Sequence, residues 1–237
     1  MKNFNTYLIL LISMLLLNAC RHRCIKGDGN VTTENRSISS FNSIQVSSAL
    51  KVIYTQSSEY KLEVVADDNL IGYIKTEING DELQIDIKDQ KCFKKITQAE
   101  IHVSGPTINR IEVSGASIFE TANSIISPGL TMEISGASKI NINGQLAMVT
   151  AKLSGASKAD LAGNSNLINI ESSGASEFNS NNLIANSAFI NFSGASFGNI
   201  YVHSALNATL SGASKLNYYG NPTVNSNLSG ASSINKK

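Results

Sequence analysis

Seven copies of Ser-Gly-Ala-Ser are the residues best suited by type and spacing to do chemistry. They begin at Ser114, Ser135, Ser154, Ser173, Ser193, Ser211 and Ser229. A hydroxyl next to a glycine is what a nucleophile elbow or a phosphate loop uses, because glycine lets the backbone turn sharply and approach closely. The surrounding pattern of neither device is present: Gly-x-Ser-x-Gly does not occur, nor does Gly-x-x-x-x-Gly-Lys-Ser/Thr. A nucleophile also belongs at one position, not seven. The three histidines, His22, His102 and His203, have no metal-ligand spacing, and there is no Asp-rich calcium repeat. The sequence therefore assigns no catalytic, metal or cofactor-binding residue, and the chain reads as non-enzymatic.

What the phrase does is set by the elements around it. The copies start 21, 19, 19, 20, 18 and 18 residues apart, a period that predicts stacked coils. Aligned on the first serine, the position one before it holds Val113, Ile134, Leu153, Ser172, Phe192, Leu210 and Leu228. The position three before it and the position five after it (Phe119, Ile140, Ala159, Phe178, Gly198, Leu216, Ile234) are also largely apolar. This parity of two predicts strands with one buried face. Asn123, Gly144, Gly163, Asn182 and Gly220, nine after the first serine, mark a further corner, from which Val202 departs. Eighteen to twenty-one residues suit a three-sided coil with strands of about six residues. Coils about 4.8 Å apart would make seven copies a rod roughly 30 Å tall. In this reading the glycine permits close approach at a narrow corner and the alanine fills a small space. Stacked Ser hydroxyls, and Asn amides in the outward column, bond from coil to coil.

The outward columns, four and six after the first serine, supply the candidate binding face: Lys139, Asn141, Lys158, Asp160, Glu177, Asn179, Asn199, Lys215 and Asn217. Lys139, Lys158, Asp160 and Glu177 are expected to neighbour one another as a solvated charged strip, the alternative being a catalytic or ion-binding cluster. With a formal net charge of +1 and 16 % charged residues, nothing points to nucleic acid.

The N-terminus reads as an address. Lys2 precedes the apolar run Tyr7 to Leu17, which is short of the roughly 20 residues a membrane span needs. Leu17-Asn18-Ala19-Cys20 resembles the lipobox of bacterial lipoproteins, which implies cleavage before Cys20 and lipidation of its sulfur. The divisions are then a signal peptide over 1–19, a lipidated tether over 20–35 and a head over 36–237. Arg21, His22 and Arg23 could rest against anionic head groups. Cys24 and Cys92 remain as a candidate disulfide, the oxidising compartment favouring a bridge over two free thiols.

Residues 36–105 alternate as strands, including Phe41 to Val46, Leu50 to Tyr54, Lys61 to Val65 and Ala99 to Val103. Asn79-Gly80-Asp81 predicts a hairpin turn, and Leu70 to Lys75 a turn or a single turn of helix. Ser47-Ser48-Ala49 is a degenerate copy of the phrase, so this section is read as strands and wide coils leading into the repeats of 106–237.

Taken together, the lipobox, Cys24-x-x-Gly27-x-Gly29-Asn30, Phe41-x-x-Ile44-x-Val46, Asn79 to Leu83 and the Ser-Gly-Ala-Ser copies resemble the "putative autotransporter adhesin head (GIN) domain" family of bacterial lipoproteins. The resemblance runs from about Cys24 to the C-terminus. It implies an all-β, right-handed, single-stranded parallel β-helix, lipid-anchored at the cell envelope as an outer-membrane lipoprotein, periplasmic or surface-facing. Its head would be adhesive or ligand-binding, toward glycans or an envelope protein. A polysaccharide-acting enzyme and a purely structural envelope module are the alternatives. The family carries over no catalytic residue and no cofactor, and the sequence chooses no oligomeric state.

Overall fold

The structure is a computed structural model describing residues 24–237. The expected signal peptide, the expected lipidation site Cys20 and the Arg21–Arg23 cluster lie outside the described residues. The chain forms a right-handed β-solenoid of about seven turns, with every neighbouring pair of coils joined in parallel register. Lys139–Leu153 pairs with Lys158–Ser172, that segment with Glu177–Phe192, and that in turn with Phe197–Leu210. Each long segment bends at two corners, so three sides enclose the core. The first side follows the serine phrase, the second lies between the two inner corners, and the third leads to the next phrase.

The alternation places the core as expected except in the last coil, where Leu228 is 42 % exposed and Ile234 only partly buried. Phe119, Ile140, Ala159, Phe178, Gly198 and Leu216 stack inward, each buried or, for glycine, without a side chain to expose. The facing stack is Val113, Ile134, Leu153, Ser172, Phe192 and Leu210, also buried. Volume is traded between them. A Cβ on Gly198 would stand 2.7 Å from the Phe192 ring, so the missing side chain in one column is the space that the aromatic of the other column fills.

At the Ser-Gly-Ala-Ser corners the glycines adopt φ near +70°, from +65° at Gly115 to +75° at Gly174. From Gly155 on, each lies against the carbonyl of the glycine one coil earlier: a Cβ on Gly174 would meet Gly155 O at 2.5 Å. Conformation and stacking both demand glycine there. The alanine departs from expectation. It is exposed, and what the stack uses is its N–H, as in Ala156 N to Gly136 O, 2.8 Å, and Ala175 N to Gly155 O, 2.8 Å. The last serine of the first six copies turns inward and is buried. Ser157 Oγ donates across coils to Ser176 Oγ (3.3 Å), while Ser176 and Ser196 donate to their own corner carbonyls, Ser173 O and Ser193 O, each at 2.8 Å.

Residues 36–105 contain one coil, not several. Ser43–Val46 and Lys51–Gln56 form it, with Ser47-Ser48-Ala49 as its corner: Ser48 and Ala49 have φ of +65° and +60°, and Ser114 N donates to Val46 O. Beneath this coil Glu82–Ile87 and Ala99–Gly105 add in parallel and then turn back. Ile74–Asn79 pairs antiparallel with the former, Lys61–Asp67 with the latter, and Val31–Arg36 with Lys61–Asp67. A parallel stack leaves an unpaired edge, and this antiparallel cap covers it. The hairpin turn is Gly80-Asp81, one residue later than Asn-Gly, with Gly80 at φ +64° in first place. Asp68–Ile71 is a single helical turn.

The stretch expected to be a tether is folded from residue 24 on. Cys24 is bonded to Cys92, Ile25–Lys26 pairs with Phe93–Lys94, and Val31–Arg36 is the outermost cap strand. An edge strand with both faces largely exposed has a linker's polar composition, which is why it reads as one. The buried Asp67 holds this clasp, accepting from Gly29 N (3.1 Å) and Thr97 N (2.8 Å). The Thr97 amide holds its carboxyl below the usual carboxylate range.

Candidate functional site: the sides of the solenoid

The first side carries every residue of the expected binding face, at equivalent places in successive coils. Lys139 pairs with Asp160 (3.5 Å), and Lys158 bridges Asp160 (3.7 Å) and Glu177 (2.9 Å). The amides form a directional ladder. Asn217 Nδ2 donates to Asn199 Oδ1, Asn199 Nδ2 to Asn179 Oδ1, and Asn179 Nδ2 to Asp160 Oδ1, each at 2.9 Å. Every Nδ2 points toward the earlier coil, and the run ends on a carboxylate, which can only accept. Asn141 repeats the ending lower down on Glu120 (2.8 Å), which with Glu100 flanks Lys51 at 3.3 Å on each side. Lys215 stands exposed at the upper end. Beside the ladder a groove of about 290 Å³ is lined by Thr121, Asn141, Asn143, Asp160, Asn179 and Asn181.

Glu177 and Lys158 of the charged strip are each favoured in the ionised form. The Asn179 amide donates to Glu177 Oε1 (2.6 Å) and holds that carboxyl below the usual range, burial opposing and Lys158 assisting. Glu177 in turn holds the Lys158 ammonium above the usual lysine range. The stability from the depressed Glu177 is present above its unfolded pKa and lost as pH falls through the folded value. That from Lys158 is present below the unfolded lysine pKa and lost as pH rises through the folded value. These side chains are 37 % and 39 % exposed, so Glu177→Gln is expected to cost only about 0.5 kcal/mol near neutrality. The difference in melting temperature between wild type and variant should close in acid, where Glu177 is protonated, and narrow in high salt. A difference unchanged in acid would show that the pair is not the cause.

The third side, absent from the sequence reading, is built differently. Its outward columns stand four and two before each of the first six phrases: Arg110, Thr131, Thr150, Asn169, Phe189, Asn207, and Glu112, Glu133, Lys152, Glu171, Asn191, Thr209. The lower part is a groove of about 440 Å³ lined by Glu112, Glu133, Lys152 and Glu171 among others. Arg110 bridges Glu112 (3.4 Å) and Glu133 (3.1 Å) there. Higher up, Phe189 is 50 % exposed in a column otherwise polar. That aromatic out of place was the signal available in the sequence.

Among the described residues no group of three or more His, Cys, Asp or Glu is placed to hold a metal ion. The fold and these surfaces define a capped β-solenoid head with grooves along its sides, that of about 440 Å³ also lined by the corner serines Ser135, Ser154, Ser173 and Ser193. The chain belongs to the family described as "Putative auto-transporter adhesin, head GIN domain", whose model matches residues 40–222. That description is of an adhesin rather than an enzyme, and points to the cell surface or envelope. Solved structures share the fold. A "putative adhesin" from Bacteroides fragilis superposes with a TM-score of 0.77 at 22 % identity, over 90 % of this chain and 100 % of its own. A "putative lipid binding protein" from Parabacteroides distasonis gives 0.75 at 20 %, over 91 % and 100 %. A "putative adhesin" from Parabacteroides merdae gives 0.69 at 18 %, over 90 % and 98 %. A search of curated proteins gave no match.

Proposed function

We propose that this protein is a lipid-anchored adhesive head of the cell envelope, held in the outer membrane through Cys20 and binding glycans or an envelope protein along its polar sides. One observation carries the reading: the capped stack presents long, regular polar sides with open grooves along them. On the first side, Asn141, Asp160 and Asn179 line the groove, and Lys139, Lys158, Glu177, Asn199, Lys215 and Asn217 extend the same surface. Glu177 and Glu100 are both held below the usual carboxylate range, Glu100 chiefly by the Gln98 amide, so neither is tuned as a general acid.

The anchor and the address are tested together. Cells fed a labelled fatty acid should label the wild-type chain and not Cys20→Ala, and protease added to intact cells should remove the head. Label on Cys20→Ala would end the anchor. A head protected in intact cells and degraded only after outer-membrane rupture would place it in the periplasm and remove adhesion to external surfaces.

A further inference from the structure

We infer that the third side carries a binding platform for a neutral glycan, centred on Phe189, with the saccharide chain running along the solenoid axis. The inference rests on the adhesive reading and adds a site and a ligand class to it.

Asn169, Phe189 and Asn207 are strict neighbours in three successive coils, as are Glu171, Asn191 and Thr209 beside them. Stacked asparagines on the first side bond one another, leaving few amide groups for a ligand. On the third side Phe189 interrupts the asparagine column. The side chains of Asn169, Asn191, Asn207 and Thr209 make no hydrogen bond among the described residues. Free amides and a hydroxyl therefore surround a half-exposed aromatic ring in a groove of about 410 Å³, within the range of small-molecule sites.

This pairing of groups selects its ligand. A pyranose has one face of C–H groups and a rim of hydroxyls that both donate and accept. The C–H face suits the electron-rich face of Phe189, and the rim suits amides that offer both donor and acceptor. Asn169 and Asn207 are two coils apart, about 10 Å, which brackets a sugar ring lying over the aromatic. The site also has an extension. Glu171 and Asn191 line both this groove and the 440 Å³ groove below it, so the two are continuous along the axis. That lower stretch sets three carboxylates, Glu112, Glu133 and Glu171, against Arg110 and Lys152. Surplus negative charge disfavours uronate or sialylated chains and leaves neutral hexose or N-acetylhexosamine chains as the class that fits.

The test uses the full folded chain with cellohexaose, mannohexaose and chitohexaose as neutral probes and oligogalacturonate as the acidic one, read by calorimetry or saturation-transfer NMR. At least one neutral probe should bind and oligogalacturonate should not. Phe189→Ala should weaken binding about tenfold with an unchanged melting temperature, and Phe189→Tyr should retain it. Asn207→Ala should weaken it severalfold. Binding by Phe189→Ala equal to wild type, preference for the acidic probe, or a change of solution mass in Phe189→Ala that marks a self-contact would each overturn the platform. A parallel variant, Asn143→Ala with Asn181→Ala, alters the first-side groove. If it alone abolishes binding, the third-side platform fails while the adhesive reading stands. If the wild type binds neither these probes nor isolated envelope fractions, both fail.

Discussion

Phe178→Ala is expected to destabilise the solenoid by about 3–5 kcal/mol, at the upper part of that range. Phe178 is fully buried, and its neighbours in the same inward column are Ala159 one coil earlier and Gly198 one coil later. One ring thus supplies most of the side-chain volume of three coils at this point. Truncation would leave Ala, Ala and Gly in succession, and the parallel backbone ladders on either side prevent collapse into the space. The melting temperature should fall by about 10 °C. Phe178→Leu, which keeps most of the apolar volume, should cost far less. A Phe178→Ala protein melting within a degree or two of wild type would mean the inward and outward faces of the first side are reversed.

Opening the Cys24–Cys92 disulfide is expected to cost about 4 kcal/mol in the chain-entropy model, the bonded residues being 68 apart in sequence. The loss should be local. The bond clasps the N-terminal strand of the cap to the segment around Phe93, beside the short parallel pair of Ile25–Lys26 with Phe93–Lys94. It does not touch the coils above. In hydrogen exchange, Cys92→Ser should expose the amides of Val31–Arg36 while those of Lys158–Ser172 keep their protection. Protection lost evenly along the chain would show that cap and solenoid unfold as one unit. Protection unchanged everywhere would show that the bond does not hold the cap.

Most of the solenoid was legible because its physics repeats. A side chain that must face inward at the same place in every coil writes an apolar column, and a corner needing positive φ writes a glycine. The serine phrase showed both, and the Asn column announced its ladder. Three things were not legible, each for a reason. Alternation marks a half-buried strand without saying whether its partner runs parallel or antiparallel, so the cap read as further coils. Val31–Arg36 is an edge strand, exposed on most positions, and its polar composition is that of a linker. The corner alanines are small because exposed turns stack closely, not because an interior is tight. The third side was within reach, since Phe189 stands where the equivalent residues are Asn169 and Asn207.

The proposed binding surface is the sides of the stack. The most direct measurement is adherence, to a surface coated with a neutral oligosaccharide, of cells displaying the full chain. Wild type would be compared with a variant carrying Phe189→Ala, Asn143→Ala and Asn181→Ala, at matched display and melting temperature. The account predicts that the variant adheres no better than cells lacking the protein. Adherence equal to wild type, with all three exposed positions removed, would contradict it.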